Sequence, residues 1–310
     1  MSGFDSLLSR LREVYASVAE IETAARAAPS DPYVMANLDS VKHFASQLEA
    51  QWEEACRDKQ LEVCRYRLVA ENTDRYTIQS FTKSLLDFQE LFTQVYDALT
   101  NGPKKCARIS SEIAQKTAFE FGFSYPGSLG VAIFTHGERN LFGSDYDSTV
   151  DALFQLTSVK DEFEVRDLAK TLGEAVVKKV YDWSLVNVDA GYGVDINWTT
   201  SGGKRGEMIG QEKLGKLVGI ISSTSDVERE TFKAYGSLVG MDVSSERFRF
   251  VVRDGPDYAG TLAEAMPKAR QWSINKNYLA EIEVETITHY ATLEARRTYR
   301  LMALEDDQTA

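Results

Sequence analysis

Histidine and cysteine are scarce, three of each in 310 residues. Cys56, Cys64 and Cys106 form no C-x-x-C pair and are too few for a disulfide framework, which sets aside a small cross-linked domain and leaves reduced, structural thiols. His43, His136 and His289 are scattered without ligand spacing, so no zinc motif is present and no cofactor is expected. Basic residues are outnumbered, 35 Lys and Arg against 47 Asp and Glu, for a net charge of −12. That balance excludes a general polyanion binder and attachment to an anionic membrane surface. No apolar run approaches the roughly 20 residues of a membrane span, and the first residues lack the basic region and apolar block of a signal peptide. A cytoplasmic location is the expectation. Internal repeats and low-complexity tracts are also missing, which excludes a solenoid.

What remains has the composition of a globular protein, 43% hydrophobic and 26% charged, in a length that suits two or three cooperating units. From Phe4 to Ala28, Leu7, Leu8, Leu11, Val14, Val18 and Ile21 recur at helical spacing. Pro29-Ser30-Asp31-Pro32 breaks that stripe, with Asp31 as N-cap and Pro32 at the first helical position of a second helix. Its face carries Leu38, Val41, Phe44, Leu48, Trp52 and Ala55. An antiparallel hairpin over residues 1–60 follows. Its stripes either pack on the rest of this chain or recruit a partner helix or a second copy, in the manner of a coiled coil. In the second case Trp52 is the anchor, with Phe44 and Leu48 beside it, because large aromatics dominate interface energy.

Residues 61–226 read as a central α/β domain. Val63, Arg65, Arg67 and Val69 alternate with Cys64, Tyr66 and Leu68, as in a strand. A helix over Thr77–Leu99 carries a broad aromatic stripe, and a further helix is predicted from Cys106 to Thr117. Strands at Ala118–Phe123 and Leu129–Thr135 flank a turn, and helices are expected at Thr149–Thr157, Glu162–Thr171 and Glu174–Val188. Tyr192–Trp198 is a predicted strand, Thr199–Arg205 a polar loop, and a last helix uses Ile209, Leu214, Leu217, Val218 and Ile221. Together these give a mixed sheet covered by helices, followed by a serine-rich linker at Ser222–Asp226.

Residues 227–310 read as a small five-stranded β-barrel of SH3-like or OB-like type, since closure removes unpaired edges. Phe248, Phe250 and Val252 point inward in one strand, Tyr278, Ala280, Ile282 and Val284 in another, and Tyr299, Leu301 and Ala303 in the last. Small barrels of this kind bind single-stranded nucleic acid through aromatics in a basic groove. Here eleven basic and eleven acidic residues cancel between Arg229 and Glu305. A solvated ladder of Glu281, Glu283 and Glu285 against outward arginines accounts for them instead.

The sharpest chemical pattern is Gly143-Ser144-Asp145-Tyr146-Asp147. Two carboxylates one residue apart can share a divalent metal with a substrate phosphate, and the segment resembles the S-D-x-D element of nucleotidyltransferases. That resemblance implies a metal on Asp145 and Asp147. It covers these few residues only, the Gly127-Ser128 pair lies farther upstream than that family's spacing, and Ser148-x-x-Asp151 reads as a helix capping box. A D-x-D-x-T phosphatase pattern fits the same residues without the strand it needs. Ser201-Gly202-Gly203-Lys204-Arg205 fails the P-loop pattern at both ends.

The sequence therefore predicts an α+β protein, acting without catalysis by protein–protein recognition or as an assembly subunit. The alternatives are a metal-dependent nucleotidyl or phosphoryl transferase centred on Asp145 and Asp147, and a nucleic-acid accessory acting through the barrel.

Overall fold

The computed structural model describes residues 3–70, 75–125, 129–137, 139–140, 143–144, 146–200, 203–253, 255–267 and 272–306. Asp145, Glu138, Asp254, the turn at 126–128 and the Ser201-Gly202 pair lie outside the described residues. The chain divides into two compact units, Met1–Ser223 and Thr224–Ala310. In the first, helices α1 (Gly3–Ala27) and α2 (Pro32–Asp58) precede strand β1 (Leu61–Ala70), then α3 (Ile78–Asn101) and α4 (Ser111–Lys116). Strands β2 (Glu120–Tyr125), β3 (Leu129–His136), β4 (Arg139–Asn140) and β5 (Gly143–Ser144) lead into α5 (Asp147–Leu156), α6 (Glu162–Leu172) and α7 (Glu174–Ala190). Strands β6 (Tyr192–Thr200) and β7 (Gly203–Ile209) and helix α8 (Gln211–Ser223) complete it. Among the described residues no helix is long and apolar enough to cross a membrane.

Asp31 caps α2 by accepting from the Tyr33 and Val34 amides, with Pro32 at the first helical position, so the break between the stripes is a designed turn of the hairpin. The main sheet runs β2-β3-β1-β6-β7. Where a mixed sheet is expected, all four pairings are antiparallel, because β2–β3 and β6–β7 are hairpins and β1 lies between β3 and β6. One face of the sheet meets α3 and α7. Tyr66 of β1 packs on Phe88 at 4.8 Å and Trp198 of β6 stacks on Phe92 at 5.0 Å. A buried hydrogen-bond network fixes that packing, since Trp183 Nε1 donates to the Tyr66 hydroxyl at 2.9 Å and Ser84 Oγ donates to Asn187 Oδ1 at 2.7 Å. The fully buried carboxylate of Glu62 accepts from Trp198 Nε1 at 2.8 Å.

The other face of the sheet takes the helical hairpin. Leu8, Leu11, Leu48, Trp52 and Cys56 form one core with Leu61, Val63, Phe123, Ala132 and Phe134. A second, smaller core of Val18, Ala25, Leu38 and Ala45 contains helix residues alone. The hairpin thus docks by its open end and overhangs the sheet by its turn end.

Three stretches depart from the sequence expectation. Residues 203–205, read from sequence as loop, belong to β7, whose pairing with β6 runs from Val194↔Ile209 to Thr200↔Gly203; Ile209 ends this strand and is not part of α8. Helix α5 starts at Asp147 with Tyr146 at the cap position and no side-chain cap bond, so Ser148 is inside the helix and makes no capping box. The reason lies in Tyr146, which is buried between Phe92 and Tyr96 and donates its hydroxyl to Lys116 O at 2.6 Å, pinning the chain there. The helix expected from Cys106 to Thr117 is confined to α4, where Ser110 supplies the cap.

The second unit contains β8 (Ser225–Asp242), β9 (Arg247–Val252), β10 (Asp257–Leu262), β11 (Asn277–His289) and β12 (Ala295–Asp306). Pairing runs β10-β12-β11-β8-β9 and returns to β10, with β10 and β12 parallel and the other pairs antiparallel. Leu238, Phe248, Phe250, Tyr278, Ala280, Ile282, Leu301 and Leu304 fill its core. Leu304, and not Ala303, is the inward residue after Leu301, because the register shifts where Glu281 pairs with Ala303 and Ile282 with Leu301. A bulge of one residue moves every later side chain to the opposite face.

Candidate functional site

The overhang of the hairpin leaves a cleft of about 420 Å³, lined by Tyr15, Glu22, Lys42, Ser46, Glu49, Arg65 and Tyr125 among others. Each wall has a local cause. Helical spacing brings Tyr15 and Glu22 of α1 to the side facing Lys42, Ser46 and Glu49 of α2, and Lys42 pairs with Glu22 at 2.8 Å across the hairpin. Tyr15 stacks on Phe123 at 5.2 Å, and burial together with the Glu49 charge holds its phenol well above the ordinary range. Tyr125 ends β2 over Gly130, where a Cβ would stand 2.4 Å from its ring. Only glycine leaves room for that ring. Burial pushes the Tyr125 phenol up to about 12.

Arg65 forms the floor. One of its terminal nitrogens donates to Glu53 at 2.5 Å and lies 2.8 Å from Glu49. Its Nε is buried and has no acceptor among the described residues. A donor in this position has a lone partner missing, and an unsatisfied buried donor costs about 1–3 kcal/mol. The charged strip continues past the hairpin, where Arg67 donates to Asp195 at 2.5 Å and Lys204 to Glu53 at 3.0 Å. The cleft therefore offers two tyrosine rings, charges of both signs and the partly exposed guanidinium of Arg65, an arrangement suited to a polar main chain or a carboxylate with an apolar neighbour.

The three residues singled out as a partner surface do not lie together at the surface. Trp52 and Leu48 are 0% and 1% exposed and belong to the core under the hairpin, while Phe44 is 44% exposed. Physical necessity decides this, since the open end of the hairpin is the lid of the sheet and its largest side chains fill the space beneath. Tyr33, 85% exposed, is also on α2, and eleven residues of helix return to nearly the same face as Phe44. Sequence reasoning missed Arg65, Tyr125 and the cleft. The available signal was the pair Arg65 and Arg67 alternating with the apolar Cys64, Tyr66 and Leu68, which marks a face only half covered.

Asp147 opens α5, and its proposed companion Asp145 is outside the described residues. Among the described residues no three His, Cys, Asp or Glu side chains group as a metal site. Lys204 and Arg205 lie in β7 with Lys204 engaged by Glu53 and Arg205 by Asp151. In the second unit Arg229 meets Glu285 at 2.6 Å, Arg249 meets Asp257 at 2.7 Å and Arg300 meets Glu283 at 3.1 Å. At this exposure solvent screens such cross-strand pairs, and they fix register more than they stabilise.

No protein-family model, curated protein or solved structure matches the chain.

Proposed function

We propose that this protein acts in the cytoplasm by recognising another protein, without catalysis, and that the hairpin of residues 1–60 is its recognition element. The observation that carries the reading is the cleft beneath the hairpin overhang, with the partly exposed Arg65 guanidinium at its floor and tyrosines on its walls. Tyrosine and arginine are enriched where proteins meet, because each combines a broad apolar surface with a polar tip. The partner segment enters the cleft and sets an acceptor against the exposed part of the Arg65 guanidinium, and Phe44 and Tyr33 on the outside of α2 extend the contact. Residues 61–226 then serve as the platform that holds the hairpin.

For residues 227–310 we infer a small barrel of OB-like type in preference to SH3-like. In order along the chain its strands close as first, second, third, fifth, fourth, with third and fifth parallel, and the first is long and irregular enough to serve both sides. OB barrels include oligonucleotide binders, but the arginines that would meet a backbone are engaged by carboxylates here. The transferase alternative rests on Asp145 and Asp147 alone.

The test is a pull-down from the native cells with three baits: the parent chain, Ser46→Trp and Phe44→Ala. Ser46 is an exposed cleft residue, so the tryptophan fills the cleft without touching the core. A protein held by the parent and lost with Ser46→Trp supports the reading. The same set retained by all three baits, each shown to be folded by circular dichroism, refutes it.

A further inference from the structure

The sheet of the first unit has two edges, and among the described residues one of them is covered. At β2, Arg12 of α1 reaches over the edge, its Nε donating to Gly122 O at 2.8 Å and a terminal nitrogen to Phe121 O at 3.2 Å. Such cover is how proteins blunt an edge strand. At β7 the described residues supply no counterpart. Among the described residues no strand other than β6 pairs with it, no side chain is hydrogen-bonded to its backbone from Lys204 to Ile209, and Lys204, Arg205, Gly206 and Met208 are exposed.

We propose that β7 is the seam of a symmetric dimer, in which two copies of this chain pair antiparallel along Lys204–Met208 about a two-fold axis at Gly206 and join their sheets into one of ten strands. The occupant is argued from charge. Antiparallel pairing about a two-fold axis perpendicular to the sheet keeps side chains on their own face, so each register is defined by the residue on the axis. With Lys204, Arg205 or Glu207 on the axis, a side chain faces its own like-charged copy. With Gly206 there, nothing charged sits on the axis and Arg205 of each copy stands opposite Glu207 of the other, twice.

Neighbouring side chains extend the match. Within one chain Arg205 pairs with Asp151 and Glu207 with Lys213. Across the seam the order becomes Asp151, Arg205, Glu207 and Lys213, alternating in sign, with the last two contributed by the second copy. On the opposite face Lys204 stands against Met208, whose 46% exposure would be covered by the lysine stem. Charged residues on an edge normally repel additional strands. Here both signs are present in an order that penalises the registers centred on Lys204, Arg205 and Glu207 and rewards the one centred on Gly206, which is selection by repulsion as much as by attraction. The seam is independent of the cleft under the hairpin.

The experiment uses the full chain carrying Cys106→Ser, since Cys106 is the exposed native thiol and Cys56 and Cys64 are buried. Lys204→Cys and Met208→Cys are made separately. Opposed residues of an antiparallel pair have Cα atoms about 4.5–5.5 Å apart, inside the range a disulfide spans. Mild oxidation of an equal mixture should cross-link the two variants to each other, with each variant alone cross-linking at least about fivefold less. Light scattering of the parent at tens of micromolar should give twice the chain mass of 34.7 kDa, and Arg205→Glu should shift it to monomer. A monomeric parent, a mixture that does not cross-link, or equal cross-linking in each variant alone overturns the proposal. Because none of these readouts involves a captured protein, failure of the seam and failure of the cleft reading are separable.

Discussion

Truncation of Trp52 measures how the hairpin is attached. Trp52 is fully buried, 5.1 Å from Phe123 and 6.3 Å from Phe134 in edge-on contacts and 6.4 Å from Phe4 in a stack. A buried tryptophan removes about 250 Å² from water, which at about 25 cal/mol per Å² is about 6 kcal/mol as an upper estimate. Alanine retains about 1 kcal/mol of that through its methyl group. The indole Nε1 is buried with no acceptor among the described residues, an unsatisfied donor that costs about 2 kcal/mol and is relieved on truncation. Trp52→Ala should therefore destabilise the first unit by about 3 kcal/mol, at the lower end of the usual range for such changes. Trp52→Phe keeps most of the ring and removes the idle donor, so it should stay within about 1 kcal/mol of the parent. Phe44→Ala, at a half-exposed position, should cost under about 1 kcal/mol. Among the described residues all eight helices lie in the first unit, so urea unfolding followed by helical circular dichroism reports it selectively. A loss under 1 kcal/mol for Trp52→Ala, with Phe44→Ala costing more, would mean that the hairpin does not dock on the sheet through its open end.

Three other outcomes follow from particular residues. Burial raises the Cys56 thiol from 9.0 to about 12 and the Cys64 thiol well above its ordinary value. The neutral thiols are then favoured in the fold, so their contribution is complete below pH 9 and lost as pH rises toward 12. At pH 8 a thiol reagent should titrate Cys106 alone in the native protein and all three cysteines in denaturant, and rapid native reaction of a second thiol would contradict their burial. Gly260→Ala should destabilise the second unit by more than about 2 kcal/mol, because the added Cβ would stand 1.9 Å from Tyr299 O in a backbone contact that has no flexible end to give way; isotope-edited amide spectra of β10 and β12 that are unchanged would refute it. Mg²⁺ or Mn²⁺ should shift the melting temperature of the parent no more than that of Asp145→Asn/Asp147→Asn, and a shift seen in the parent alone would revive the transferase reading by mass-action linkage.

Most helices and the strands of the second unit were legible because their periodicity is strong. Phe248 and Phe250, and Tyr278, Ala280 and Ile282, all point to the core that alternation assigns them. What escaped the sequence depends on contacts distant along the chain. β7 reads as loop because Gly203-Lys204-Arg205-Gly206 has no apolar alternation, and an edge strand with one exposed side needs none. Trp52 reads as an anchor for a partner or as a core residue, since a helical stripe does not say which half of it meets a sheet. The shift at Glu281 and Ile282 leaves no mark in composition, yet it exchanges Ala303 for Leu304. The cleft is assembled from α1, α2, β1 and β2, and no local pattern contains it.

Recognition through the hairpin requires that a protein segment occupy the cleft beneath it. A photo-reactive phenylalanine analogue at Ser46, expressed in the native cells, measures this directly against the same analogue at Thr231, an exposed strand position of the second unit. Illumination should give a discrete cross-linked adduct from position 46, with the partner's attached peptide read by mass spectrometry, and none of that adduct from position 231. No adduct at position 46, or the same adducts at both positions, would contradict recognition through the cleft.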